Sequence, residues 1–211
     1  YLSHIAGEAS STLRILDAGC GRGWMTYLAS QYGICDGIDS VAACVDFARK
    51  RYPDLKFQAG DLDALLSRRD FRPYDVVLCS EVIEHVPDEK KPHFIRNLKS
   101  TLSPSGHLLL TTPRGEWFPI WPRLGYPPQP VEAWLSERDL LKLFSSHGFV
   151  ALKKDRIYLP LENMSYFHRL CESRRFVEGL ERVGLAWLLE GLRFIAAFYQ
   201  VWWFKKDGSI D

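Results

Sequence analysis

The chain has 211 residues, enough for one domain around one core and too few for two of ordinary size. Its 27 Lys and Arg nearly cancel its 26 Asp and Glu, and a net charge of +1 argues against a broad cationic face for a nucleic-acid backbone. An apolar fraction of 46% with 25% charged residues excludes a disordered or fibrous chain.

No signal peptide is recognisable at Tyr1–Ser10, which has no basic start and no long apolar run. The five cysteines (Cys20, Cys35, Cys44, Cys79 and Cys171) are odd in number and contain no C-x-x-C pair. Neither a disulfide scaffold nor a thiolate zinc site suits that pattern, and a reducing cytoplasm is expected.

Five short apolar runs have strand length: Arg14–Ala18, Ile34–Ile38, Leu55–Ala59, Asp75–Ser80 and His107–Thr112. Val76-Val77-Leu78 and Leu108-Leu109-Leu110 are unbroken, as in strands that bury both faces of a parallel sheet. Helix-length segments lie between the runs. They are Met25–Tyr32, Val41–Arg51 with Ser40 as candidate N-cap, and Lys90–Leu102 with Phe94, Leu98 and Leu102 on one face. The succession predicts a doubly wound α/β sheet. Six of the twelve prolines then fall between Pro113 and Pro130, so Pro113–Val131 is expected to be a long structured loop without a regular element.

Ser136 with Asp139 three residues later opens a helix that Gly148 stops. Phe149–Tyr158 reads as a strand, Leu161–Arg193 as mostly helical, and Phe198–Lys205 as a last strand. Of the 28 aromatic residues 18 follow Thr112, which suits core packing or an apolar acceptor pocket under a cover. The apolar run Leu185–Phe204 is broken by Glu190, Arg193 and Gln200, so a contact with a membrane surface is expected in preference to a span.

Open α/β sheets bind ligands beyond the carboxyl ends of their strands. At the first such end stands Leu16-Asp17-Ala18-Gly19-Cys20-Gly21-Arg22-Gly23, whose glycines let the backbone turn and approach a ligand. It is not a dinucleotide fingerprint, because Trp24 occupies the third glycine's place, and no G-K-[ST] follows to make a P-loop. Asp39 lies 22 residues after Asp17, where a carboxylate accepts ribose hydroxyls, with Ser40 beside it. Asp61 suits an adenine amino group, with Leu62 packing on the ring, and Asp17 suits an ammonium. Three acids at three strand ends, with no cradle for phosphate, describe a cationic nucleoside ligand such as S-adenosylmethionine.

Leu16–Gly23, Gly37-Ile38-Asp39, Gly60-Asp61-Leu62, Ser80–Val86 and Leu109–Pro113 together resemble a class I S-adenosylmethionine-dependent methyltransferase over roughly residues 12–158. The resemblance implies a seven-stranded sheet of order 3-2-1-4-5-7-6 with strand 7 antiparallel and helices on both faces. One domain is expected over residues 1–211; 113–135 leaves the carboxyl end of the fifth strand to cover the acceptor, and the helical insertion 161–193 suits a further cover, a dimer face or a lipid-contacting patch. Asp17, Gly19, Cys20, Gly21, Asp39, Ser40, Asp61, Leu62 and Ser80 are then the residues expected at the cofactor.

Glu81, Glu84 and His85 follow the fourth strand and share one face if the segment turns helically. They are the expected catalytic residues, with His85 as general base or acceptor-orienting group. Two carboxylates and an imidazole also suit a divalent ion, Mg²⁺ or Zn²⁺. The stretch resembles that of the ubiquinone-biosynthesis O-methyltransferases, where it implies a metal at the acceptor. It also resembles the small-RNA 2′-O-methyltransferases, but Gln129–Trp134 lacks their further histidine. The expected reaction is methylation of a small apolar or aromatic acceptor, on oxygen. The alternatives are metal-independent methylation of nitrogen or a sugar hydroxyl, and a non-catalytic cofactor-binding domain. Arg114 suits pairing with an acidic acceptor or bracing of the loop. The oligomeric state is left open.

Overall fold

The computed structural model describes residues 1–124, 129–158 and 173–208. A seven-stranded sheet organises the chain, in the order β3-β2-β1-β4-β5-β7-β6. Its strands are β1 (Leu13–Ala18), β2 (Gly33–Asp39), β3 (Lys56–Ala59), β4 (Tyr74–Ser80), β5 (Leu102–Pro113), β6 (Phe149–Ile157) and β7 (Tyr199–Lys206). The first five pair in parallel, whereas β7 runs antiparallel between β5 and β6.

Both faces of the central strands are buried, which is why their sequences read as continuous apolar runs. Leu16, Ala18, Val77 and Cys79 face a core with Leu98, Phe144 and Phe204, while Leu13, Ile15, Val76 and Leu78 face the opposite one. The helices that cover these faces are α1 (Leu2–Glu8), α2 (Trp24–Ala29), α3 (Ala42–Arg51), α4 (Leu62–Leu66), α5 (Lys91–Thr101) and α6 (Glu137–Ser145). The helices α7 (Arg174–Arg182) and α8 (Ala186–Ala196) precede β7. Helix α6 opens as expected: the Ser136 hydroxyl accepts from Asp139 N–H at 3.1 Å, and Gly148 turns the chain out at φ 77°.

Two local readings change. Ser40 does not cap α3; Val41 holds the N-cap position, and Asp39 Oδ1 accepts the Val41 N–H at 2.8 Å. An aspartate one residue further back closes the turn and displaces the serine. The Pro-rich segment is not irregular throughout, because Gly115–Leu124 forms a 3₁₀ helix containing Pro119 and Pro122. Proline fixes φ within the 3₁₀ range, so the residues that exclude an α-helix there permit this tighter one. The run Leu185–Phe204 is α8 followed by β7, and among the described residues no helix is long and apolar enough to cross a membrane. The stretch Leu161–Cys171, part of the expected helical insertion, lies outside the described residues.

Candidate active site

The loops after β1, β2, β3 and β4 meet around a cleft of about 690 Å³ at the carboxyl ends of those strands. Gly19, Gly21 and Gly23 all have positive φ, so the loop after β1 turns three times through the left-handed region. Gly19 carries the tightest demand, because a Cβ there would collide with the Val82 side chain of the loop after β4. The N–H groups of Gly19 and Cys20 donate to the Ile38 carbonyl at 2.8 and 3.0 Å, fastening this loop to the end of β2.

Asp39 holds the next wall. Its Oδ2 accepts the Gly21 N–H at 2.8 Å while Oδ1 accepts that of Val41, so one carboxylate joins two loops. Each oxygen keeps a further lone pair for a ligand hydroxyl. Asp61 is the N-cap of α4, accepting the Ala64 N–H at 2.8 Å, and with Leu62 it forms the third wall. Capping and ligand binding are thus compatible duties of the same carboxylate.

Of the expected cofactor residues, Gly19, Cys20, Gly21, Asp39, Ser40, Asp61, Leu62 and Ser80 line the cleft. Asp17 does not: it is 1% exposed beneath the loop, accepting the Thr26 hydroxyl at 2.6 Å. Burial pushes its carboxyl up to about 6, against the lowering effect of the Thr26 bonds.

The candidate catalytic side chains follow β4. Glu81 has a φ of 57°, a strained value for a residue with a side chain and the only positive φ outside glycine among the described residues. Its N–H donates to the Thr111 carbonyl at 3.0 Å, and its Oε1 accepts the Thr111 hydroxyl at 3.2 Å. Burial first, and the neighbouring Glu84 carboxyl second, push Glu81 up to about 8. Glu84 is 2% exposed, accepts the Thr112 hydroxyl at 3.0 Å, and is likewise raised by burial. Burial and the neighbouring Glu84 charge therefore both favour the protonated form of Glu81 at neutral pH.

The expected single face does not form. Only Ile83–His85 turns, as 3₁₀ helix, and the left-handed Glu81 stands outside it. Glu81 and His85 line the cleft, whereas Glu84 sits behind it. His85 Nδ1 is 3.2 Å from the Val131 carbonyl, and the ring is exposed. Among the described residues no three His, Cys, Asp or Glu side chains gather as a metal ion requires. With one carboxylate behind the other and the imidazole turned to the rim, the set proposed for Mg²⁺ or Zn²⁺ does not fit an ion in this arrangement.

Several contributors escaped the sequence. His93 lines the cleft, with Nε2 2.9 Å from Asp63 Oδ1. Its partner is 30 residues away, so only the packing of α4 on α5 could bring the pair together. Val41 and Trp24, 51% and 57% exposed, also line the cleft. Such exposure beside a ligand-sized opening was the one usable signal, and a sequence does not display it.

Glu84 is tied to the segment ahead of α6. Ala133 N–H donates to the Glu84 carbonyl at 2.8 Å, and the buried Lys91 Nζ donates to the Ala133 carbonyl at 2.8 Å and to Asp88 Oδ1. Beyond these, Trp121, Trp134 and Phe198 pack with ring centroids 5.0–5.5 Å apart. Arg114 is 8% exposed and donates to the Ala197 carbonyl at 2.9 Å and the Ile195 carbonyl at 3.1 Å. It braces the segment ahead of β7, as one of its two expected readings required.

A sheet of this order, with a glycine loop and acidic strand ends around one cleft, defines a class I S-adenosylmethionine-dependent methyltransferase domain. The methyltransferase-domain family model matches residues 1–154, and the chain belongs to that family. Among curated proteins it is similar to the ubiquinone biosynthesis O-methyltransferase of Coxiella burnetii, 29% identical over 103 residues. That match covers 46% of this chain and 42% of the relative, so less than half of the relative's length is spanned. Among solved structures, an S-adenosylmethionine-dependent methyltransferase from Mesorhizobium loti superposes with a TM-score of 0.64 at 19% identity, covering 96% of this chain and 95% of that one. The magnesium protoporphyrin IX methyltransferase of Synechocystis, solved with S-adenosylhomocysteine bound, gives 0.62 at 18% identity, over 98% and 82% of the two chains.

Proposed function

We propose that the chain methylates a hydroxyl oxygen of a small apolar or aromatic acceptor, with Glu81 receiving the proton. S-adenosylmethionine, when bound, supplies an electrophilic methyl group on a sulfonium. The chain's own residues supply everything else. Asp39 offers lone pairs to ribose hydroxyls, and Asp61 with Leu62 and Val41 suits adenine. The Gly19–Gly21 backbone, with the buried Asp17 below it, suits the amino-acid part.

The observation that carries the proposal is Glu81: a carboxyl held in a left-handed conformation, raised to about 8, and facing the cleft. A base raised toward the acidity of a phenol takes its proton more readily than an ordinary carboxylate. Glu84 behind it raises its proton affinity further, and His85 at the rim orients the acceptor. The named activity of the Coxiella relative supports oxygen as the atom methylated. The aromatic cluster around Trp121 and Trp134 supports an apolar acceptor, and these residues of the 113–135 segment serve as its cover.

We place the enzyme in the cytoplasm, in contact with a membrane surface where an apolar acceptor would be drawn. Trp187 and Ile195 of α8, 66% and 68% exposed, support that contact. S-adenosylhomocysteine release from a panel of catechols and phenols tests the reaction. Turnover that vanishes in Glu81→Gln while cofactor binding persists supports it. Turnover with amines alone would overturn it.

A further inference from the structure

A second cavity, of about 480 Å³, opens on the sheet and shares only Ile38 with the active-site cleft. Its origin is the shortness of α4. Five residues of helix reach about 7.5 Å, against roughly 20 Å for β1 and β2 and about 13 Å for β3. The amino-terminal halves of β1, β2 and β3 therefore lack a cover on that face. Registers align Leu16 with Asp36 and Asp36 with Lys56, and in the next row Ile38 with Gln58. A face left open in this way is lined by polar side chains where a covered sheet would carry apolar ones.

The polar residues are unevenly charged. Arg14, Arg49, Lys56, Arg68 and Arg72 line the cavity against two acids, Asp36 and Asp70, in a chain whose overall charge is +1. Three of the cations are held in place. Arg14 Nη1 donates to the Pro73 carbonyl at 3.0 Å with its guanidinium over the Tyr74 ring, Arg49 donates to the Phe57 carbonyl, and Arg68 donates to Asp70 and Gln58. Tyr74 O–H donates to Asp36 at 3.0 Å, which occupies that acid. Lys56 and Arg72 are exposed and form no ion pair with any described residue. Beneath them Leu16, Ile38, Leu65 and Phe71 give the cavity an apolar floor.

We propose that this cavity binds a phosphate ester with an apolar or aromatic body. The phosphate meets Lys56 and Arg72 at the mouth, and the body lies on Leu65 and Phe71. Guanidinium and ammonium groups bind phosphate by charge-assisted hydrogen bonds, and pre-fixed neighbours such as Arg14 and Arg68 lower the ordering cost. The site is distinct from the cofactor cleft and does not depend on which acceptor is methylated.

The test is calorimetric titration of the full chain with 1-naphthyl phosphate, in saturating S-adenosylhomocysteine to occupy the cofactor cleft. One-site binding is expected, with 1-naphthol and inorganic phosphate each weaker by about tenfold or more. The double variant Lys56→Ala/Arg72→Ala is expected to lose about tenfold in affinity while keeping its melting temperature and its S-adenosylhomocysteine affinity. Arg72→Glu, at an exposed position, repeats the loss with a single change. No binding at millimolar concentration, binding seen only without S-adenosylhomocysteine, inorganic phosphate binding as well as the ester, or variants within about twofold of wild type would each overturn the assignment.

Discussion

Glu81→Gln separates the chemical duty of the loop after β4 from its structural one. The wild-type side chain, pushed up to about 8, is ionised in about one molecule in ten at pH 7. If the ionised form takes the acceptor proton, kcat/KM rises by about tenfold per pH unit and bends near pH 8. The amide keeps the shape and cannot take a proton, so kcat should fall by about 10²–10⁴ with cofactor affinity unchanged. Stability should move the other way. A carboxyl that is protonated in the fold and ionised in the unfolded chain loses stability as pH climbs from about 4.5 to about 8, and loses no more above that. The ceiling on that loss is about 5 kcal/mol, and solvent reaching Glu81 through the cleft cuts it to a few. The glutamine variant should therefore melt higher than wild type at pH 9 and about equally at pH 4. Stopped S-adenosylhomocysteine assays from pH 6 to 10, beside thermal melts at the same pH values, read both effects. A variant retaining a third of wild-type turnover, or the same bend near pH 8 in both proteins, would refute the role given to Glu81.

Other residues carry further expectations. Gly19→Ala should destroy cofactor binding, because the new methyl meets Val82; adding Val82→Ala removes the collision but leaves about 1–2 kcal/mol of left-handed strain, measurable by chemical denaturation. Asp39→Ala frees the Gly21 and Val41 N–H groups at once and should weaken S-adenosylhomocysteine by about tenfold or more in calorimetry. EDTA should change turnover by less than about twofold, since Glu84 and His85 diverge; a complete loss restored by Mg²⁺ or Zn²⁺ would show that the three side chains regather. Lys91→Met should unfasten Ala133 and raise the acceptor KM while sparing cofactor affinity, which initial-rate kinetics resolves.

The sheet was legible because burial on both faces writes itself into β4 and β5 as unbroken apolar runs, whatever the details of packing. The walls of the cleft were legible for a related reason. Gly19, Gly21, Asp39 and Asp61 each sit at a strand end, and topology alone brings those ends together. The chemical loop resisted, because helical spacing assigns Glu81, Glu84 and His85 to one face only if residue 81 is helical. It is left-handed and stands outside the 3₁₀ turn Ile83–His85, in which Glu84 points inward to Thr112 and His85 stays at the rim. Long-range partners were out of reach for a different cause: His93 meets Asp63, and Lys91 meets Ala133, through packing that no local pattern encodes. The same contrast explains the two cavities. A cleft made by strand ends follows from topology, whereas the basic cavity follows from α4 stopping after five residues, and only a three-dimensional structure shows what a short helix leaves uncovered.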